Sequence, residues 1–479
     1  MAGVVTIRIG DGPNRAAREW AARLIATRCG YPYRIAHEGE APAGDGALVS
    51  YLAAPGARGL TIADSGFFDG KTAGAAPFLK TCGRLQDVPI FHGTGTITRN
   101  AGAAFIDSDI FAAAFSMAGA LDEKSSSSED RHGRFPAAES LLGSNDLLGR
   151  PLIDEYAHVI RKELAQLYPG LEYVAPWGKR HDFAVAFTHD IETLARPSRL
   201  GYLKTKLISA GRLSQKGETR QALRTAGAGI RRAAGGENPN YSFELLRQRA
   251  RPWPSTFFLF GGVTSELDGA YNVLDTRLRS DLEKLMNEGC EIGVHLGYET
   301  RENADLMRVQ ASRVETVAGK RAVGARHHYL RARFPDAWKA HEEAGLAYDA
   351  SFAFAESAGF RAATSYPFRP FDVDTGREMR IFEAPLVAMD GTFFQYGELP
   401  PEKTVEAVLS LAEKTRLAGG VFTLLWHNTM VDEVDKGDQA RSYAEIAETL
   451  KTMPAWGATV GACVERWKAY CDSLEVSGE

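Results

Sequence analysis

The chain has 479 residues, 44% hydrophobic and 10% aromatic, with a formal net charge of −5; it is too long for one typical core, so two domains are expected in a soluble globular protein. The small net charge gives no general reason to expect a nucleic-acid partner, and no stretch approaches the ~18–20 apolar residues of a membrane span. Five scattered cysteines without a CxxC pair exclude a disulfide framework and a cysteine-built zinc knuckle.

The opening MAGVVTIRIGDGPNRAAREW lacks a basic patch followed by an apolar run, so a cytoplasmic location, reaching at most to the inner membrane face, is the expectation. Residues 3–9, VVTIRIG, alternate as a strand does, and ARLIATRCG then runs at helical spacing towards Gly30. ALVSYLA at 47–53 and VPIFHG at 88–93 continue a small α/β unit, and IFAAAFSMAGA at 110–120 reads as a buried helix. The serine- and charge-rich KSSSSEDRHGRFP predicts a surface loop. Its Arg134 and His132 suit a loop that closes over a polar ligand beside the second domain. Residues 147–169, with a proline near the start and apolar positions three and four apart, predict a helix. The domain boundary is expected near residue 178, giving an accessory α/β domain over 1–178 and a second domain over 179–475.

In the second part the strand-like runs FAVAFTHD, STFFLFGG, EIGVHLG and GGVFTLLWHN alternate with helical stretches, which predicts βα units and a parallel sheet. Residues 196–251 carry thirteen Lys/Arg against three acids. Such a stretch reads either as a solvated helical insertion or as a face for a phosphate-bearing substrate or an anionic membrane.

Four segments, three of them ending apolar runs, hold residues that carry chemistry. FAVAF ends in Thr188-His189-Asp190-Ile191-Glu192, where two carboxylates two positions apart lean to one side of an extended chain. The C-terminal ends of such strands are where α/β enzymes place catalysts, and a carboxylate pair suits divided labour between metal and proton; a helix N-cap is the plainer alternative. EIGVHL ends on His295, by itself as well suited to a structural hydrogen bond as to ligation. In ARHHYLR the adjacent His327 and His328 point to opposite sides, and Arg326 shares a side with His328; alone, this is a basic surface loop. VFTLL leads into Trp426 and His427. The convergence of four strand ends carrying Asp, Glu or His is the argument for a site.

At these residues the sequence resembles the polysaccharide deacetylases of the NodB-homology type, carbohydrate esterase family four. THDIE stands where the family usually has TFDDG and looks like the THDxD variant of a bacterial branch with an extra N-terminal domain. The resemblance extends to STFFLF at 255–260, EIGVHLGY, ARHHYLR, GFRAATSYPFRPFD at 359–372 and LLWHNT at 424–429. Earlier in the chain it takes in DIFAAAF (109–115), DRHGRFP (130–136) and RPLIDEY (150–156). It implies an α/β fold in which a distorted (β/α) barrel follows a smaller α/β domain. The implied activity is hydrolysis of the N-acetyl group of an amino sugar in a polysaccharide or glycoconjugate precursor; the expected cytoplasmic location favours a nucleotide-linked, lipid-linked or otherwise intracellular sugar.

By the same resemblance Asp190 is the catalytic base, Arg326 the arginine that orients it and His427 the general acid. Glu192 and His295 are ligands of a divalent metal, zinc by expectation. Three or four residues after His295 the family has a second metal histidine, whereas this chain has Tyr298 and Glu299. His328 is therefore the candidate third ligand, as imidazole suits zinc, with Glu299 as the alternative. Tyr329, Tyr298, Trp426 and Arg361 are the expected substrate contacts. Two rivals keep the same barrel: a catalytically silent carbohydrate-binding or assembly protein, and an amidohydrolase acting on a different C–N bond. No nucleic acid is expected; peripheral membrane contact would run through 196–251.

Overall fold

The structure is a computed structural model, describing residues 3–10, 12–37, 46–56, 58–70, 80–194, 198–235, 238, 240–269, 271–433 and 436–476. Of the basic stretch, residues 196, 197, 236, 237 and 239 lie outside the described residues.

The N-terminal part builds one sheet. β1 (Val5–Arg8) leads to α1 (Arg15–Cys29), and β2 (Tyr33–Ala36), β3 (Ala47–Leu52) and β4 (Gly59–Ala63) follow. After a small hairpin of β5 (Gly83–Leu85) and β6 (Val88–Ile90) come β7 (Ile97–Asn100) and β8 (Ala103–Ile106). The strand order is β2-β1-β3-β4-β8-β7, parallel except for the β7–β8 hairpin. VPIFHG, read as a strand, thus belongs to a separate hairpin rather than to the main sheet. α2 (Ile110–Ala118) is buried at every position, as its unbroken apolar run predicts, and the Asp109 carboxylate caps it by accepting from the backbone N–H of Ala112. α3 (Leu121–Ser125) and α4 (Leu152–Leu167) complete this part.

The second sheet opens with β9 (Phe183–Ile191), buried at all nine residues, as expected of a parallel strand covered on both faces. Then come α5 (Arg199–Gln215), α6 (Thr219–Ala233), α7 (Phe243–Ala250), β10 (Ser255–Phe260), α8 (Thr276–Asn287), β11 (Glu291–Leu296), α9 (Ala304–Ala318), β12 (Gly324–His327), α10 (Asp336–Ala344) and β13 (Tyr348–Asp349). A hairpin of β14 (Phe371–Asp372) and β15 (Arg377–Glu378) precedes β16 (Phe382–Glu383), β17 (Ala388–Met389), α11 (Pro401–Ala418), β18 (Val421–Leu425), α12 (Gly437–Thr452), β19 (Ala455–Gly457) and α13 (Val460–Leu474).

All pairings in this sheet are parallel, in the order β16-β13-β12-β11-β10-β9-β18-β17. That is the circular order of a β/α barrel, but among the described residues no pairing joins β16 to β17. The sheet is a curled half-barrel with one open seam, and the seam is the distortion. β19 pairs with the start of β9 and β10 with its end, on the side away from β18. The two sheets lie in sequence on either side of residue 178, yet one contiguous hydrophobic cluster runs through both. The chain's last described residues return to the first sheet, where the N–H of Val476 donates to the Tyr33 carbonyl. Among the described residues no helix is long and apolar enough to cross a membrane.

Candidate active site

The parallel register carries the ends of β9, β11, β12 and β18 to one rim. Beyond β9, Glu192 is partly exposed, while Asp190 and the imidazoles of His295 and His328 are buried. One ligand atom from each of Glu192, His295 and His328 lies within 4.8 Å of the others. The alternation expected in ARHHYLR holds: Arg326 and His328 face the site, whereas the His327 ring meets His341 at 3.1 Å.

The histidines are oriented from behind. His295 donates Nδ1–H to the Arg326 carbonyl at 3.0 Å, and its buried Nε2 has no hydrogen-bond partner. His328 donates Nδ1–H to Asp268 Oδ1 at 2.9 Å, leaving Nε2 3.4 Å from Glu192 Oε1. The Phe260 ring lies 4.6 Å from His295 and 4.9 Å from His328 between centroids, so both imidazoles are wedged. An orphaned buried imidazole nitrogen, a second whose other nitrogen is tied to a carboxylate and a neighbouring carboxylate make a donor set that fits a divalent metal ion.

Burial and these partners set the protonation states. Burial pushes His295 down to about 4, against the attraction of Asp190, so it is neutral near pH 7. Burial works against the charge of Glu192, but the field of His427 and the hydrogen bond from His328 outweigh it and hold the carboxyl down at about 2. Burial likewise works against the charge of His328, but its hydrogen bonds to Asp268 and Glu192 raise it above its ordinary value.

Beside the donors stand two proton-transfer candidates. Asp190 Oδ1 accepts from Arg326 Nη1 at 3.1 Å, and the same nitrogen donates to Thr188 Oγ1 at 2.7 Å. Arg326 is fully buried; its Nε donates to the Ala350 carbonyl and its guanidinium lies 4.6 Å from the Phe258 ring centroid, which fixes it. His427 Nδ1 lies 2.5 Å from Asp390 Oδ1, and its backbone N–H donates to Asp390 Oδ2 at 2.8 Å. Its Nε2 is 3.4 Å from Glu192 Oε1. Burial alone would lower His427, but Asp390 and Glu192 raise it to about 10, so it is protonated across the neutral range.

Asp268 and Asp390 were not found from sequence. Asp268 sits in the loop after β10, eight residues beyond the strand, where no periodicity points to it. Its carboxylate accepts from His328, from the Tyr298 and Ser265 N–H groups, and from both N–H and Oγ1 of Thr264. Asp390 directly follows the two-residue β17 and obeys the same strand-end rule as Asp190, but two residues give no strand pattern to read. The loop bearing Asp268 approaches the site closely because residue 269 is glycine: a Cβ there would fall 1.3 Å from the Glu192 carbonyl oxygen.

A cavity of about 280 Å³ opens over these groups, lined in part by Asp190, Glu192, His295, His328, His427 and Tyr329. Tyr329 and Leu330 both hold positive φ, 60° and 53°, strained values for non-glycine residues that turn the chain sharply at the cavity wall. The other expected substrate contacts are placed elsewhere. Trp426 is fully buried, stacked on Tyr443, with its indole N–H on the Met430 carbonyl. Arg361 is consumed by an ion pair with Glu123 and by the Ala353 carbonyl, among Phe334, Phe352 and Phe354. Tyr298 is buried against Arg331, with its hydroxyl 3.0 Å from His132 Nδ1. Glu299, the alternative ligand, points outward to Arg331 and is no part of the donor cluster. The DRHGRFP loop does reach the rim: Arg134 lines the cavity, donates to the Tyr329 carbonyl at 2.8 Å and is held by Asp130.

Residues 12–169 match the profile of DUF7033, a family of unknown function. No curated protein sequence matches the chain. Among solved structures, a chain described as a polysaccharide deacetylase from Mycobacterium smegmatis is 18% identical, with a TM-score of 0.39 over 62% of this chain and 94% of that one. Another so described, from Pseudomonas aeruginosa PAO1, is 13% identical, with a TM-score of 0.40 over 63% and 96%. The peptidoglycan deacetylase PdaC of Bacillus subtilis is 13% identical, with a TM-score of 0.30 over 62% and 95%.

Proposed function

We propose that this protein is a zinc-dependent N-deacetylase acting on an amino sugar of a polysaccharide or glycoconjugate precursor. The observation that carries the reading is the cluster of Glu192, His295 and His328, flanked in one cavity by a carboxylate tied to an arginine and an imidazole tied to a carboxylate. Those three residues would hold the ion, which supplies Lewis acidity that polarises the acyl carbonyl and acidifies water.

The chain's own residues then manage the protons. Asp190, steadied by Arg326, takes a proton from the water that attacks the acyl carbon. The Tyr329 backbone N–H is the candidate donor to the oxyanion that develops on the carbonyl. His427 gives a proton from Nε2 to the departing nitrogen, while Asp390 holds its Nδ1 side and keeps it charged. The C–N bond breaks, a C–O bond forms, and acetate and the free amino sugar leave. A cavity at the small end of ligand sites favours one acylated ring at the reacting position.

The test is the release of primary amine and acetate, in equal amounts, from N-acetylated hexosamines presented free, in oligosaccharides and on nucleotide or lipid carriers. The reading expects release from at least one class, abolished by a chelator and restored by zinc. A zinc-loaded protein that binds these sugars and releases nothing would instead be the silent carbohydrate-binding protein. Release of formate or opening of a cyclic amide alone would move the activity to another C–N bond.

A further inference from the structure

Between β9 and α7 the chain forms a hairpin of two helices, α5 and α6, which pack chiefly against one another. The contact is made by small residues: Ala210, Ala222, Ala228 and Gly229 are the buried positions, and a Cβ on Gly229 would fall 2.7 Å from Lys206 Cβ. Leu203 reaches into this contact, but five other large apolar residues are left outside. Leu200 is 82% exposed, Leu223 70%, Ile230 57%, and Leu207 and Ile208 48% each. Leu200 and Leu207 are seven residues apart, as are Leu223 and Ile230, so each pair lies on one face of its helix.

Cations surround these faces. Residues 198–235 hold nine Lys/Arg and one acid, Glu218, in a chain whose overall charge is −5. Lys204 lies on the Leu200 face, and Arg220, Arg224 and Arg231 border the Leu223 face; all four are exposed. The root of the hairpin is the cavity rim. Asn428 Nδ2 donates to the carbonyls of Thr193 at 2.8 Å and Asn240 at 2.9 Å, and Arg232 pairs with Asp432. Glu192 and Thr193, immediately before the hairpin, line the cavity.

Single exposed leucines are ordinary, but several on a self-packed hairpin bearing nine cations are not. Nucleic acid would use the cations and leave the leucines in water. An anionic bilayer uses both, the phosphates pairing with Lys/Arg and the acyl boundary taking the leucines. We infer that the α5–α6 hairpin docks the protein on an anionic lipid surface, with the cavity beside it facing that surface. That the sugar processed there is lipid-linked rests on the deacetylase reading; the docking itself does not.

Cosedimentation of the full chain with phosphatidylcholine vesicles, with and without phosphatidylglycerol, tests the docking directly. The protein should pellet with the anionic vesicles and be released by salt. Each neutralised cation should weaken partitioning about fivefold. The exposed-site variant Lys204→Glu/Arg220→Glu/Arg224→Glu/Arg231→Glu should stay in the supernatant. Leu200→Ser/Leu223→Ser should still bind at low salt but come off at lower salt than the parent. Circular dichroism and the melting temperature should be unchanged in both. Absence of binding at low salt, equal binding to neutral vesicles, or variants that bind like the parent would overturn the inference. So would serine variants that turn a dimer into a monomer without vesicle binding, since the face would then belong to a second copy. Amine release from a soluble sugar is read separately, so failure of docking and failure of the deacetylase reading are distinguishable.

Discussion

Asp390 holds His427 twice, through the ring Nδ1 at 2.5 Å and through the backbone N–H at 2.8 Å. A single carboxylate thus fixes the orientation of the imidazole and its charge, leaving Nε2 towards Glu192. Replacing Asp390 by Asn should remove the charge and keep most of the shape. The basic limb of the pH–rate profile should then fall by about 1–3 pH units, the worth of an adjacent opposite charge. An unmoved basic limb in an active Asp390→Asn variant would show that His427 is not the acid.

The same pair makes a stability prediction. His427 is raised in the folded chain, to about 10, above the ~6.5 of an unfolded histidine. Its contribution is therefore complete below about pH 6.5 and is lost as pH rises through about 10. Denaturation of the parent and of Asp390→Asn should show a stability gap that is widest near pH 6 and narrows towards pH 10. A gap that widens with pH would contradict the assignment of charge.

Asp268 accepts five hydrogen bonds, one of them from the candidate ligand His328, and those donors hold its carboxyl well below the usual range despite burial. Asp268→Asn should weaken zinc binding by about 10–100-fold, the usual effect of removing a ligand's orienting partner. Metal titration against a competing chelator measures it.

Asp190→Asn should leave zinc content near the parent's and lower turnover by about 10²–10⁴-fold, as should His427→Ala. If Asp190→Asn stripped the metal while Glu192→Gln kept it, the two carboxylates would have exchanged roles.

Gly269→Ala would set a methyl group against the Glu192 carbonyl, with only 1.3 Å available. The overpacking should cost about 1–3 kcal/mol and reduce zinc content as well, because the shift falls on Glu192 and on neighbouring Asp268. Thermal melts with and without added zinc would show both effects.

How much of this was legible in the sequence follows from where each signal resides. Asp190, His295 and His427 end apolar runs, and a parallel strand marks its own C-terminal end, so their meeting at one rim could be expected, whereas His328 follows the polar Arg326-His327 and was legible only from the alternation of side chains. Asp268 lies in a loop, and what brings it to His328, sixty residues away, is the adjacent Gly269 and the backbone N–H groups of Thr264, Ser265 and Tyr298. Trp426 shows the limit of reading side-chain direction. An aromatic residue next to a strand-end histidine can turn to the cavity or to the core, and here Tyr443 and the Met430 carbonyl take it inward. Arg361 has its partner, Glu123, 238 residues away, which no local pattern reports. The open seam escaped because β13, β16 and β17 are two residues each. The shared core escaped because composition changes near residue 178 while the packing continues across it.

The central claim, that Glu192, His295 and His328 hold the ion on which turnover depends, is tested most directly by titrating zinc into chelator-stripped protein while following amine release. One zinc per chain should restore activity. Glu192→Gln, His295→Ala and His328→Ala should each lose zinc more severely than the 10–100-fold expected when only an orienting partner is removed. Full zinc binding in all three variants, or turnover that survives complete removal of the metal, would contradict it.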